Sequence, residues 1–313
     1  MEDSNSLAKH LLSYGIRPLY GDSYKRWVSS VLSKKVIARI GRYLEMDQPR
    51  YGSLEFLNYI GDPKIAGVWW SKKADAICAS GDAIINRLPA GGKILDVGSG
   101  IGYLTTWYAL QDSRQTVVGV DISPQTIRTA RSYAEKLLIK NVKFECIDIA
   151  AYGSSDKYDV IIDTQSLYTI REIGKPLANL KNLLTSNGVI ISIPALPTRA
   201  EEVEYLNAFN SAGLFLQSHD FVHHWDIEHM PCAFPLYVFT KNENKIDVDF
   251  DLMWNQMGDE RQRRLDILII ESIRKKHNQE SEKHGIRHII EKYSNMNEEG
   301  VSRLLNRLDE NEK

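Results

Sequence analysis

The stretch Ile94-Leu95-Asp96-Val97-Gly98-Ser99-Gly100-Ile101-Gly102-Tyr103 leads from an apolar run into a helical one through three alternate glycines. Glycine lets the backbone turn sharply and lets a ligand approach the main chain with no Cβ in the way. The helix after it offers unpaired N–H groups and a partial positive charge. The spacing is GxGxG and position 103 is Tyr, so the dinucleotide fingerprint GxGxxG is not met. Asp96 stands two residues before the first glycine, at the carboxyl end of the apolar run. A carboxylate there repels a pyrophosphate and suits a cationic ligand.

Two further acidic positions come in step. Asp121 closes Val117-Val118-Gly119-Val120-Asp121-Ile122, 25 residues after Asp96. A carboxylate at the tip of a second strand accepts ribose hydroxyls, and Ile122 beside it can cover one face of a base. Asp148 lies in Cys146-Ile147-Asp148-Ile149, where it can accept from an adenine amino group. Each aspartate alone reads equally well as a cap or strand-end residue. Three at successive strand ends describe a site for an adenosine carrying a positively charged tail.

The elements that position them alternate. Strands are expected at 93–97, 116–121, 143–146, 158–163 and 188–194, and helices at 102–110, 124–138, 175–184 and 199–212. Ser123-Pro124 supplies an N-cap and an N1 proline. This alternation predicts an α/β fold, a Rossmann-like doubly wound parallel sheet. Runs at 214–220 and 236–240 have only a loop between them, so they read as an antiparallel pair with a reversed edge strand. Three domains are expected. Residues 1–74 form a helical extension or lid, with a helix capped by Asp22 whose apolar positions run from Trp27 to Leu44. A looser aromatic segment comes after it. Residues 75–242 carry the α/β domain, and 243–313 form a charge-rich helical appendage with apolar stripes at 265–273, 286–293 and 301–308.

Over roughly 75–242, about half the chain, the sequence resembles the class I S-adenosylmethionine-dependent methyltransferases. The resemblance implies S-adenosyl-L-methionine as cofactor, with Asp96 near its methionine amino end and Gly98, Ser99, Gly100, Gly102 and Tyr103 around it. It implies that Asp121 and Ile122 hold the ribose and base, that Asp148 and Ile149 hold the adenine, and that Asp163, ending Tyr158-Asp159-Val160-Ile161-Ile162-Asp163, lies beside the reactive methyl. Asn187-Gly188 resembles the family's turn into its fifth strand.

The residues after Asp163 bear on the acceptor. Asp163-Thr164-Gln165-Ser166-Leu167-Tyr168 is not the Asn/Asp-Pro-Pro-aromatic motif of methyltransferases acting on planar nitrogens, and it has no Pro-Cys pair. It resembles small-molecule enzymes, with Asp163 and Tyr168 as candidate catalytic groups. His219, His223, His224 and His229, with Cys232, are expected in one loop between the last two strands. His223 or His224 is there a candidate general base. A metal site and a polar loop with incidental histidines are the alternatives, and no known metal spacing is met. Trp69 and Trp70 either cover the methyl donor or staple the preceding helix to the core, and Trp70 is taken as a cofactor residue.

Composition narrows the setting. Among 313 residues, 39 Lys and Arg face 41 Asp and Glu, a net charge of −2, so no global field favours polyanions. Three scattered cysteines make no disulfide framework, and no apolar run is long enough for a membrane span. The expectation is a cytoplasmic enzyme with a small-molecule substrate, no nucleic-acid partner and a possible homodimer through its terminal helices. An RNA or protein methyltransferase, favoured by the basic helix around Lys34, Lys35, Arg39 and Arg42, and a non-catalytic cofactor-binding scaffold are the competing readings.

Overall fold

The computed structural model describes residues 6–45, 53–196, 198–227, 230–243, 246, 249 and 251–258. Residues 1–250 form one unit and 251–313 a second, of which a helix over 251–258 is described. The apolar stripes expected beyond residue 264 lie outside the described residues.

Six helices precede the sheet: α1 (Leu7–Ser13), α2 (Gly21–Val31), α3 (Lys34–Glu45), α4 (Leu54–Ile60), α5 (Pro63–Ser71) and α6 (Ala74–Ile85). Then come β1 (Lys93–Val97), α7 (Tyr103–Gln111), β2 (Thr116–Asp121), α8 (Pro124–Lys136), β3 (Val142–Cys146) and β4 (Tyr158–Thr164). The chain continues through α9 (Gly174–Leu183), β5 (Leu184–Ile193), α10 (Arg199–Ser211), β6 (Phe215–Trp225) and β7 (Pro231–Thr240). The strands assemble in the order β3-β2-β1-β4-β5-β7-β6. The first five are parallel, β7 is antiparallel to β5, and β6 is antiparallel to β7. The expected doubly wound sheet is present, and its reversed strand is β7, which lies one place in from the edge that β6 forms. Strand order reverses between β1 and β4, and the crevice outside the carboxyl ends at such a switch is where doubly wound sheets bind ligands.

The strands that carry the site are the apolar ones. Ile94, Val117, Val160, Ile162 and Ile191 make one sheet face, covered by Leu7 and Leu11 of α1, Ile77 and Ile84 of α6, and Leu104, Trp107 and Tyr108 of α7. On the other face Phe209 of α10 stacks on Phe239 of β7, with ring centroids 3.9 Å apart. Ser123 accepts from the Thr126 amide at 3.2 Å and Pro124 begins α8, a cap worth about 1 kcal/mol.

Several local expectations change. The long helix after Asp22 is two helices: Leu32 is extended, and Ser33 restarts the chain as α3 by accepting from the Val36 amide. Asp22 lies inside the first turn of α2, whose N-cap is Tyr20. The looser aromatic segment is α4 and α5; Asp62 caps α5 ahead of Pro63, a signal of the same type as Ser123-Pro124. β6 and β7 are much longer than expected, with ladder pairs running from Phe215↔Thr240 to Trp225↔Pro231. His219, His223 and His224 therefore sit within a strand, not in the connecting loop. Among the described residues no helix is long and apolar enough to cross a membrane.

Candidate active site

The glycine loop leaves β1 at the switch point. Gly98, Gly100 and Gly102 all have positive φ, at 68°, 54° and 82°, a backbone that side chains disfavour. Two of them are also closed in by neighbours. A Cβ on Gly98 would lie 2.3 Å from Ser166 Cβ, and one on Gly102 would lie 2.6 Å from the Phe144 ring. Nothing lies within 4 Å of where a Cβ on Gly100 would be. The loop is packed on its underside and open at its middle glycine. The Gly98 and Ser99 amides donate to Val120 O, and the Gly100 amide donates to Asp121 Oδ2 at 2.9 Å, so the loop is pinned to the end of β2. Ser99 itself is turned onto β2, its Cβ 2.9 Å from where a Gly119 Cβ would stand.

Asp96 is buried beside this opening. Among the described residues its carboxylate receives one hydrogen bond, from the Thr105 hydroxyl of α7. Burial, reinforced by the nearby Asp163 and Asp121 charges and only partly offset by Thr105, pushes its pKa up to about 7. A buried anion with a single donor is costly, and a cation placed against it removes that cost. Asp121 is more committed. It accepts from the Gly100 amide, the Ser123 amide at 2.8 Å and the Thr126 hydroxyl at 3.1 Å. Of a carboxylate's roughly four acceptor positions about one is left, which suits one ribose hydroxyl better than two.

The base end is more open. Ile122 is 47% exposed, an unusual setting for a large apolar side chain at a strand end. Asp148 is exposed and accepts from the Ala150 amide at 2.8 Å, with acceptor capacity to spare. The Ile149 side chain is buried, so this residue can offer the site only its main chain. At the other end Trp70 meets Tyr103 edge-on, with centroids 5.7 Å apart, and Tyr103 meets Tyr14, the C-cap of α1. Burial first, and then the Asp96 charge, raise the Tyr103 phenol well above its usual range. An open glycine, a carboxylate with one described donor, a polar strand end and an uncovered isoleucine thus lie at the carboxyl ends of the neighbouring strands β1 and β2.

Residues 88–234 match the family model described as a methyltransferase domain. This stretch is similar to a methyltransferase domain, as the sequence resemblance implied. A malonyl-[acyl-carrier protein] O-methyltransferase of Acetivibrio thermocellus is 33% identical over 97 residues, 31% of this chain and 33% of that protein. A 23S rRNA (uracil(747)-C(5))-methyltransferase of Actinobacillus pleuropneumoniae is 33% identical over 107 residues, 33% of this chain and 27% of that protein. The solved S-adenosylmethionine-dependent methyltransferase of Aquifex aeolicus has 17% identity and a TM-score of 0.46, covering 60% of this chain and 98% of its own. The chain spans about a third of the length of the first curated relatives it matches.

The candidate site departs from expectation at β4. Asp163 is fully buried and has five donors: the Ser166 and Leu167 amides and the Ser166 hydroxyl on Oδ1, and the Ser192 and Tyr205 hydroxyls on Oδ2. Its acceptor capacity is taken up inside the protein, so the expectation that Asp163 touches the cofactor or the reacting atoms is corrected. It shapes the turn after β4. Within that turn the Ser166 hydroxyl shares its one proton between Asp163 Oδ1 and Val97 O, 2.8 Å away, and so ties the turn to the start of the glycine loop, and Tyr168 is buried in a short 3-10 turn, Leu167–Thr169. His223 pairs with Ala233 and His224 with Cys232 in the β6–β7 ladder. His224 is buried, its ring 4.3 Å from that of Phe234. Two strands, β5 and β7, separate β6 from β4.

Sequence reasoning missed the contacts that Thr105 makes with Asp96, Ser166 with Val97 O and Lys73 with Gln165. Thr105 is in the first turn of the helix after the glycine loop, where a hydroxyl able to meet Asp96 was a readable signal. The Lys73–Gln165 contact joins positions 92 apart and had none.

Proposed function

We propose that the protein transfers the methyl group of S-adenosylmethionine to a small-molecule acceptor. The observation that carries this is the buried Asp96 carboxylate, which among the described residues accepts one hydrogen bond and stands at the end of β1, where the glycine loop with its open middle position begins. When bound, the cofactor supplies an electrophilic methyl on a sulfonium. Asp96 would hold the cationic end, the open backbone at Gly100 would admit the tail, Asp121 would accept from the ribose, and Ile122 with Asp148 would flank the base. In-line displacement is then mainly a matter of holding nucleophile, methyl and sulfur aligned. A base is required only for an acceptor that arrives protonated, a role proposed for Tyr168, His223 or His224.

A small-molecule acceptor is supported by the turn after β4, which lacks the planar-nitrogen motif, and one cation of the basic helix is engaged within the protein. Arg39 of α3 is stacked on Tyr59 at 4.4 Å and paired with Glu55, so its charge is partly spent inside the protein. The test is turnover. Incubation with S-adenosylmethionine and a panel of small acids, alcohols and amines is expected to release S-adenosylhomocysteine, and Asp96→Asn to abolish the release. Turnover confined to RNA, with steeply salt-dependent binding, would replace the small-molecule reading. Cofactor binding with no turnover on either class would favour the scaffold reading.

A further inference from the structure

Helix α8 starts directly behind Asp121, and every amide proton at its start has an acceptor of its own. A helix leaves its first four N–H groups without intrahelical partners, and Pro124 removes one of them. The Ser123 amide donates to Asp121 Oδ1 at 2.8 Å, and the Thr126 amide to Ser123 Oγ at 3.2 Å. The remaining one, on Gln125, is satisfied from a different part of the chain. It donates to Asn58 Oδ1 of α4 at 3.2 Å, and the Ser123 hydroxyl donates to the same oxygen at 2.9 Å. A main-chain amide can only donate, so it fixes which end of the Asn58 side chain faces the turn.

Asn58 does not drift against this turn, because α4 is locked to α8 at its end as well. Gly61, the C-cap of α4, lies so close that a Cβ on it would stand 2.7 Å from Thr126 Cγ2 and 2.9 Å from the Thr126 amide nitrogen. Its carbonyl accepts from the Thr129 hydroxyl at 2.7 Å. Ser123 is thus joined to Asp121 through its main chain and to Asn58 through its side chain. The other oxygen of Asp121 is taken by the Gly100 amide. One continuous set of hydrogen bonds therefore runs from α4, through the cap of α8 and the Asp121 carboxylate, to the open glycine of the loop.

We infer that Asn58 is a positioning residue of the cofactor site: by capping α8 from α4, it fixes the Asp121 carboxylate in the orientation that accepts a ribose hydroxyl. The inference rests on the proposed function, which gives Asp121 that contact. No contact with the cofactor is assigned to Asn58 itself. Its removal leaves the Gln125 amide and the Ser123 hydroxyl without their acceptor, the turn from Asp121 to Thr126 relaxes, and the carboxylate loses its aim. The helical extension before the sheet is on this account part of the binding site's framework, and it acts on the ribose end.

The experiment uses the full chain as wild type, Asn58→Ala and Asn58→Asp, the last keeping an acceptor oxygen in place. Calorimetric titration compares S-adenosylhomocysteine with its 2′,3′-dideoxy analogue, which lacks the ribose hydroxyls. Wild type is expected to prefer the hydroxylated compound by about tenfold, Asn58→Ala by about threefold or less, and Asn58→Asp to recover most of the preference. Amide hydrogen exchange of the ligand-free protein gives a second reading. In Asn58→Ala, exchange at Ser123 and Gly100, whose protons Asp121 holds, is expected to quicken by about tenfold, while Leu167, held by Asp163, is unchanged. A preference in Asn58→Ala as large as in wild type overturns the inference, whatever the change in stability. Unchanged exchange at Ser123 and Gly100 overturns it as well. Failure of wild type to bind either compound overturns the proposed function instead, and the exchange rates then decide whether Asn58 holds Asp121.

Discussion

The carboxyl ends of β1 and β4 lie side by side at the switch point, Val97 in register with Asp163, and each carries a buried aspartate. The two carboxylates have opposite fates. Asp163 is surrounded by five donors from its own turn, from β5 and from α10, while Asp96 has the hydroxyl of Thr105. Residue type, strand position and burial are the same, so none of these marks a binding residue. The number of internal donors does. A satisfied carboxylate organises the fold, and one with few described donors keeps acceptor capacity for the cofactor contact proposed for Asp96.

The contrast is sharpest on removal. Asp163→Ala leaves the Ser192 and Tyr205 hydroxyls and the 166–167 amides without their acceptor, and a loss of about 3–5 kcal/mol is expected in urea unfolding. Asp96→Asn is expected to do the reverse. S-adenosylhomocysteine affinity falls roughly thirtyfold, the loss of about 2 kcal/mol of charge-assisted bonding. Stability does not fall with it. The folded pKa of Asp96, about 7, lies above the ordinary carboxylate value of 3.8, so the folded state holds the proton more tightly. Its contribution to stability is present at low pH and lost as pH rises through about 7, so the uncharged amide should raise stability at pH 8 by about 1–2 kcal/mol. A fall in stability as large as that of Asp163→Ala would erase the distinction.

A smaller effect sharpens the same comparison. Thr105 is the one influence that lowers the Asp96 pKa. Thr105→Val should therefore move the pH midpoint of S-adenosylhomocysteine binding upward, by roughly half to one unit, with affinity recovering at high pH. The smallest effect is expected at the far edge of the sheet. His224→Phe keeps the ring against Phe234, and should change stability by less than about 1 kcal/mol and S-adenosylhomocysteine affinity by less than about twofold. A large loss of affinity would bring β6 into the cofactor site.

Legibility in the sequence tracked the range of the interactions. β1, β2, the glycine loop and the cap of α8 are set by residues within a few positions of one another, and their bounds were readable from apolar runs, glycines and Ser123-Pro124. The aspartates at strand ends were readable as candidates for the same reason. Which of them has spare acceptor capacity was not, because Ser192 and Tyr205 reach Asp163 from 29 and 42 residues away. The length of β6 was hidden by its composition: His219, Asp220, His223 and His224 look like loop residues, yet the ladder to β7 and the cover of α6 hold them extended. The break at Leu32-Ser33 was masked by apolar spacing that continues through it.

The most direct test is calorimetric titration of the wild-type protein with S-adenosylhomocysteine between about pH 5.5 and about pH 8.5, with NADH as control and Asp96→Asn in parallel. The expected result is binding that strengthens as pH rises through about 7 and is largely lost in Asp96→Asn, with no binding of NADH. Affinity independent of pH and equal in wild type and Asp96→Asn would contradict the role given to Asp96, and absence of binding at every pH would contradict the site itself.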